Sequence, residues 1–101
     1  MSDRRWVRVV GDGLAYQGPC LLHSVTFMPV TANDYVDVYD GRDATSGKKF
    51  ARLISSVVDT LCIYYGDGVP FDQGIYIDAI DAEVETTVVF TPLDFPSVGY
   101  P

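Results

Sequence analysis

A chain of 101 residues, 48% of them hydrophobic, holds one small globular domain and is too apolar to be disordered. Seven basic against 14 acidic residues give a net charge of −7, which works against nonspecific binding to nucleic acid or to anionic lipid. A domain of this size buries only about two-thirds of its unfolded surface, so the composition points to oligomerisation as the stabilising device, ahead of disulfide or metal.

In chain order, Gly-, Asp- and Pro-containing turns separate short runs rich in Val, Ile, Tyr, Phe and Thr. These runs predict strands over 6–10, 21–29, 35–39, 49–55, 61–65, 75–79 and 83–91. Three of them alternate with a period of two. Val36 and Val38 oppose Asp37, Ile75 and Ile77 oppose Asp78, and the set Val84, Thr86, Val88 and Phe90 opposes Glu83, Glu85 and Thr87. Alternation of this kind marks antiparallel strands with one buried face. The predicted class is all-β: a small antiparallel β-sandwich or a jelly-roll-like barrel over 1–91, followed by an extended Pro-rich arm over 92–101.

The first six residues have no apolar run behind them, and no stretch is long enough to span a membrane, so the expectation is a protein kept in the cytosol or one that leaves it by a route other than an N-terminal signal. Charge is uneven along the chain: residues 1–52 hold all seven bases, and 53–101 hold eight acids and no base. Such a two-signed molecule suits docking on itself or on a basic partner. The candidate interface residues are Arg4, Arg5, Trp6 and Arg8 near the start, with Leu93, Phe95 and Tyr100 as anchors along the arm. Cys20 and Cys62 are expected to be reduced and mostly buried.

Chemistry-bearing motifs are sparse, and no cofactor is expected. His23 is the only histidine; its strand neighbour Ser24 points to the opposite face, so the pair makes a poor catalytic dyad and His23 reads as a surface or interface side chain. Asp34, Asp37, Asp40 and Asp43 lack the alternate spacing and closing Glu of a calcium loop. Gly47-Lys48-Lys49 lacks the upstream glycine and the following Ser or Thr of a phosphate-binding loop, and Gly11-Asp12-Gly13 lacks a third glycine.

One ordered set of segments is more informative. Gly18-Pro-Cys-Leu-Leu-His-Ser-Val-Thr-Phe precedes Val36-Asp-Val-Tyr-Asp-Gly and Thr45-Ser-Gly-Lys-Lys-Phe-Ala-Arg-Leu. Val69-Pro-Phe-Asp-Gln-Gly-Ile-Tyr-Ile-Asp and Val84-Glu-Thr-Thr-Val-Val-Phe-Thr-Pro follow. Over residues 13–92 this series resembles small virion proteins of tailed bacteriophages. The resemblance implies a β-sandwich without catalytic residues, located in the virion after assembly in the host cytoplasm. It implies a capsid decoration or cement role, with the major capsid protein or another virion protein as partner, and a homo-oligomer, in the first instance a trimer. The Arg-rich start and the Pro-rich end fall outside the pattern. A tail, baseplate or fibre component is the nearest alternative. A carbohydrate- or receptor-binding module is a third, for which Tyr35, Tyr39, Tyr64, Tyr65 and Tyr76 are the candidate aromatics.

Overall fold

The computed structural model describes residues 4–93. Eight strands follow one another: β1 (Arg5–Val10), β2 (Gly13–Gln17), β3 (Cys20–Met28), β4 (Tyr35–Asp40), β5 (Lys48–Ile54), β6 (Leu61–Phe71), β7 (Gly74–Ala79) and β8 (Glu85–Pro92). They form two four-stranded antiparallel sheets, ordered β1-β8-β3-β6 and β2-β7-β4-β5. Each sheet interleaves early and late strands, which is the double Greek-key arrangement of a jelly roll. The protein is a small all-β sandwich, as its alternating pattern predicts.

The alternation sets which side chains meet between the sheets. From one sheet come Val9, Leu22, Val25, Phe27, Val88 and Phe90, and from the other Val36, Val38, Leu53, Ile75 and Ile77, all buried. Val84 and Thr86 are fully buried with them, whereas Glu85 and Thr87 turn outward. The Thr86 hydroxyl is the one described buried side-chain polar atom without a hydrogen-bond partner.

Three sequence expectations need correction. An eighth strand, β2, lies where none is predicted: Gly-Leu-Ala-Tyr-Gln carries little alternation, and its pairing with β7 is broken by an irregularity between Leu14 and Tyr16. His23 is buried, only 2% exposed, not a surface side chain. It occupies a β-bulge, where the register of β3 shifts against both β6 and β8. There β6 bows out through Gly66 and Gly68, both at positive φ, and covers the ring. The Gly66 carbonyl only accepts, so His23 Nδ1–H donates to it at 3.1 Å. In the neutral ring Nε2 then accepts from the Thr91 hydroxyl at 2.7 Å. Of the two free thiols, Cys20 is buried but Cys62 is exposed, because Cys62 pairs with Thr26 on the outward side of β6.

Consecutive strands alternate in direction, so the sandwich has two ends built from different connections. The turns at 11–12, 29–34, 55–60 and 80–84 share one end. Backbone bonds join them: Asn33 N–H to Ser55 O, Ile80 N–H to Tyr35 O and Gly11 N–H to Val84 O. The turns at 18–19, 41–47 and 72–73 share the other, joined by Gly18 N–H to Gln73 O and Gly41 N–H to Gly74 O. Leu93 follows β8 at this second end, half-buried, with its N–H donating to Pro19 O at 2.9 Å.

Candidate interaction surfaces

The outer face of the β1-β8-β3-β6 sheet is nearly free of charge. Register places Trp6, Val89, Ser24 and Tyr64 in one row across all four strands. The next row is Arg8, Thr87, Thr26 and Cys62, and the next holds Val10, Glu85 and Met28. Small side chains fill the middle, and two large aromatics stand at the margins: Trp6 is 69% exposed and Tyr64 66%, more than any other large apolar residue described. Among the described residues, the ion pair on this face is Arg8 with Glu85, at 3.2 Å between half-exposed groups. An aromatic left this far in water is unfavourable by its apolar area unless another surface covers it.

The outer face of the other sheet has a different chemistry. Tyr39 and Tyr76 are cross-strand neighbours with ring centroids 6.4 Å apart, and Tyr35 lies further along the same face of β4. Between the rings sits Asp37, buried, accepting from Arg52 at 2.7 and 3.0 Å and from Lys49 at 3.2 Å. The same cations cover the aromatics, with Arg52 3.9 Å over Tyr35 and Lys49 5.8 Å over Tyr39. Burial alone would raise the Asp37 carboxyl, but its bonds to Arg52 and Lys49 outweigh this and hold it below the usual range. Its neighbour Asp78 is raised, first by burial and then by the charge of Asp12.

The aspartates of the segment 34–43 do not converge on a common point. Asp34 accepts from the Val30 and Thr31 N–H groups, and Asp43 from Ser46. Asp40 reaches the turn between β6 and β7, accepting from the N–H groups of Asp72 and Gln73. Each acts as a local cap or strap.

The two ends also differ. Of the eleven exposed large apolar residues described, seven sit at the first end: Val10, Met28, Val30, Ile54, Val57, Val58 and Ile80. The segments that make this end, 10–12, 28–34, 54–60 and 78–85, contain seven acids and no base. The opposite end carries Arg4, Arg5, Arg42, Lys48 and Lys49 against Asp40, Asp43 and Asp72 among the described residues. A cleft of about 340 Å³ opens there, beside the β5 and β6 edges, lined by Phe50, Pro70 and Phe71 with two lysines, Lys48 and Lys49, and two aspartates, Asp40 and Asp72.

The sequence-predicted interface residues are thus distributed over different surfaces. Trp6 and Arg8 share the outer face of the β1-β8-β3-β6 sheet, where Arg8 pairs with Glu85. Arg4, exposed at the start of β1, and Arg5, which pairs with Phe90, belong to the basic end with Leu93. Phe95 and Tyr100 lie outside the described residues. Sequence reasoning missed the apolar end because its members are single residues scattered over four turns, without periodicity.

No helix among the described residues is long and apolar enough to cross a membrane. Comparison with protein-family models, with curated proteins and with solved structures finds no match to this chain.

Proposed function

We propose that this protein is a non-catalytic structural component of a virion, a capsid decoration or cement protein that binds and stabilises neighbouring capsid subunits. The reading joins the resemblance over residues 13–92 to one structural observation. Trp6 and Tyr64, the most exposed large apolar side chains described, stand in one row across a sheet face with little charge. That face has the aromatic-rich, charge-poor character of an interface core. Its four strands are fixed by both the core and the ladder, so docking needs little reordering of backbone.

The test is co-sedimentation of the purified chain with phage heads and, separately, with tails, both assembled without it. Binding to heads that Trp6→Ser weakens at least about tenfold, with an unchanged melting temperature, supports the decoration role. Binding to tails alone transfers the same face to a tail, baseplate or fibre component. Binding to neither rejects the proposal.

A carbohydrate- or receptor-binding role has its own supporting observation: Tyr35, Tyr39 and Tyr76 share one outer face with Asp37, Asp78 and Arg52. Tyr64 lies on the other sheet, and Tyr65 packs against Phe50, so only three of the five candidate tyrosines contribute. Glycan binding lost in Tyr76→Ala and kept in Trp6→Ser would favour this role over the first.

A further inference from the structure

We propose that two copies of this chain join edge to edge through the first half of β6, paired antiparallel about a two-fold axis at Cys62, so that their β1-β8-β3-β6 sheets become one sheet of eight strands. This goes beyond the virion role and is measured on the chain alone.

The inference starts from how the four sheet edges differ. An edge strand presents unpaired N–H and C=O groups, and folded proteins block such edges with charge, short length, bulges or a covering segment. β1 carries Arg5 and Arg8, and the turn at 11–12 folds it against β2, so these two edges close one side of the sandwich. β2 has only five residues and an irregularity between Leu14 and Tyr16. β5 carries Lys48, Lys49 and Arg52. Over Leu61-Cys62-Ile63-Tyr64-Tyr65, β6 has none of these devices: the segment holds no charge, glycine or proline, and Ile63, Tyr64 and Tyr65 favour strand pairing. It pairs with β3 on one side, in unbroken register from Leu61 opposite Phe27 to Tyr64 opposite Ser24, and with no described strand on the other. The bow at Gly66 and Gly68 comes only after it.

A second copy fits this edge because an antiparallel edge is its own complement. A two-fold sets inward residues against inward and outward against outward. Leu61, Ile63 and Tyr65 line the open margin of the core and are only half-buried, with Tyr65 on Phe50 at 5.4 Å. Cys62 and Tyr64 are exposed on the outer face. Each set gains neighbours of its own kind from the second strand, and the ladder gives the free backbone groups partners. Charge selects the register. Asp59 and Asp67 flank the segment symmetrically, so an axis at Ile63 would set each against the other's copy. An axis at Tyr64 would run the pairing into the glycine bow. An axis at Cys62 avoids both, setting Leu61 against Ile63 and Cys62 against Cys62 of the second copy, with Cβ atoms about 4.5–5.5 Å apart. The unit is then a dimer, not the trimer that the resemblance implies.

The test uses the full chain under reducing conditions, with the melting temperature as a control of folding. Sedimentation at tens of micromolar should give a dimer. Salt should strengthen it, because screening relieves the repulsion between two chains of net charge −7. A bis-maleimide with a short spacer should link Cys62 to Cys62, and amides within 60–64 should exchange more slowly as protein concentration rises, while those of β1, β2 and β5 do not. Cys62→Glu sets two carboxylates opposite each other at the axis and should weaken association at least about tenfold, whereas Cys62→Ser keeps it. A monomeric unaltered chain, association that weakens with salt, protection at another edge, or a Cys62→Glu dimer as tight as that of Cys62→Ser each overturn the inference. Exchange and cross-linking are read on the unaltered chain, so they decide the matter should Cys62→Glu fail to fold. Protection of β6 that appears only on binding to heads would give this edge to a virion protein and overturn pairing between copies.

Discussion

Asp37 is the most constrained charge in the molecule, and replacing it by Asn gives a quantitative test of the packing on the tyrosine-bearing face. The carboxylate accepts two bonds from Arg52, at 2.7 and 3.0 Å, and one from Lys49 at 3.2 Å. An amide of the same shape keeps one acceptor for Arg52 and forfeits the charge and the Lys49 contact. Bonds to charged groups contribute about 1.5–3 kcal/mol each, and stranding a fully buried partner costs about 3–5 kcal/mol. Neither limit applies in full here, because the Arg52 and Lys49 side chains are 46% and 45% exposed and can turn to water. A loss of about 2 kcal/mol follows for Asp37→Asn, equivalent to a fall of roughly 8–16 °C in melting temperature for a domain of this size. The carboxyl is held below its usual range in the fold, so its contribution is present above the unfolded pKa of about 3.9 and is lost as pH falls through the folded value. Urea unfolding at pH 7 and at successively lower pH should therefore show the gap between the two proteins narrowing once the medium is strongly acidic. A difference under about 0.5 kcal/mol at pH 7, or one that stays constant into strong acid, would refute the argument.

Asp78 behaves in the opposite sense: its carboxyl is raised by burial and by Asp12, so the fold favours the protonated form and stability is lost as pH rises through the folded value. Asp78→Asn should accordingly stabilise the protein at pH 7 and have little effect below the unfolded pKa, as chemical denaturation across that range would show. Thr86 carries a buried hydroxyl without a partner, and Thr86→Val should raise stability by about 1 kcal/mol in urea titration, with a decrease counting against an unsatisfied group. Thiol alkylation should divide the cysteines. Exposed Cys62 reacts at neutral pH, whereas burial, with Asp40 adding to it, pushes Cys20 up to about 12 and leaves it unmodified until the protein unfolds. Mass mapping that found Cys20 labelled first would contradict this placement.

The sheets were legible where local alternation and long-range burial agree. Val36 and Val38, Ile75 and Ile77, and the series from Val84 to Phe90 face inward as their spacing predicts, because each strand has one dry face and a period of two. Leu22, His23 and Val25 break that rule. The bulge at His23 shifts the inward phase by one residue, and its cause lies in β6, far away in sequence, where two glycines allow the strand to bow out. Cys62 was misplaced because an apolar neighbourhood in sequence does not say which side of an edge strand a residue occupies. The two ends could not be read from sequence at all. Val30, Val57 and Ile80 share one end only because the jelly-roll connections bring alternate turns there, and the pairing of β1 with β8 joins the two extremes of the described chain. The charge asymmetry between chain halves was visible, but the structure redistributes it along the sandwich, placing Arg8 and Arg52 in ion pairs and leaving Lys48 at the basic end.

Trp6 is the only tryptophan in the chain and lies on the face proposed for docking, so it reports directly on the central claim. Heads assembled without this protein and grown with 4-fluorotryptophan, which is almost non-fluorescent, leave the indole of Trp6 distinguishable by its own fluorescence. On addition of those heads, the emission of Trp6 should move from the red position of a water-exposed indole to the blue, and an added quencher should lose access to it. Bound protein whose Trp6 emission and quenching match those of the free protein would contradict docking through this face.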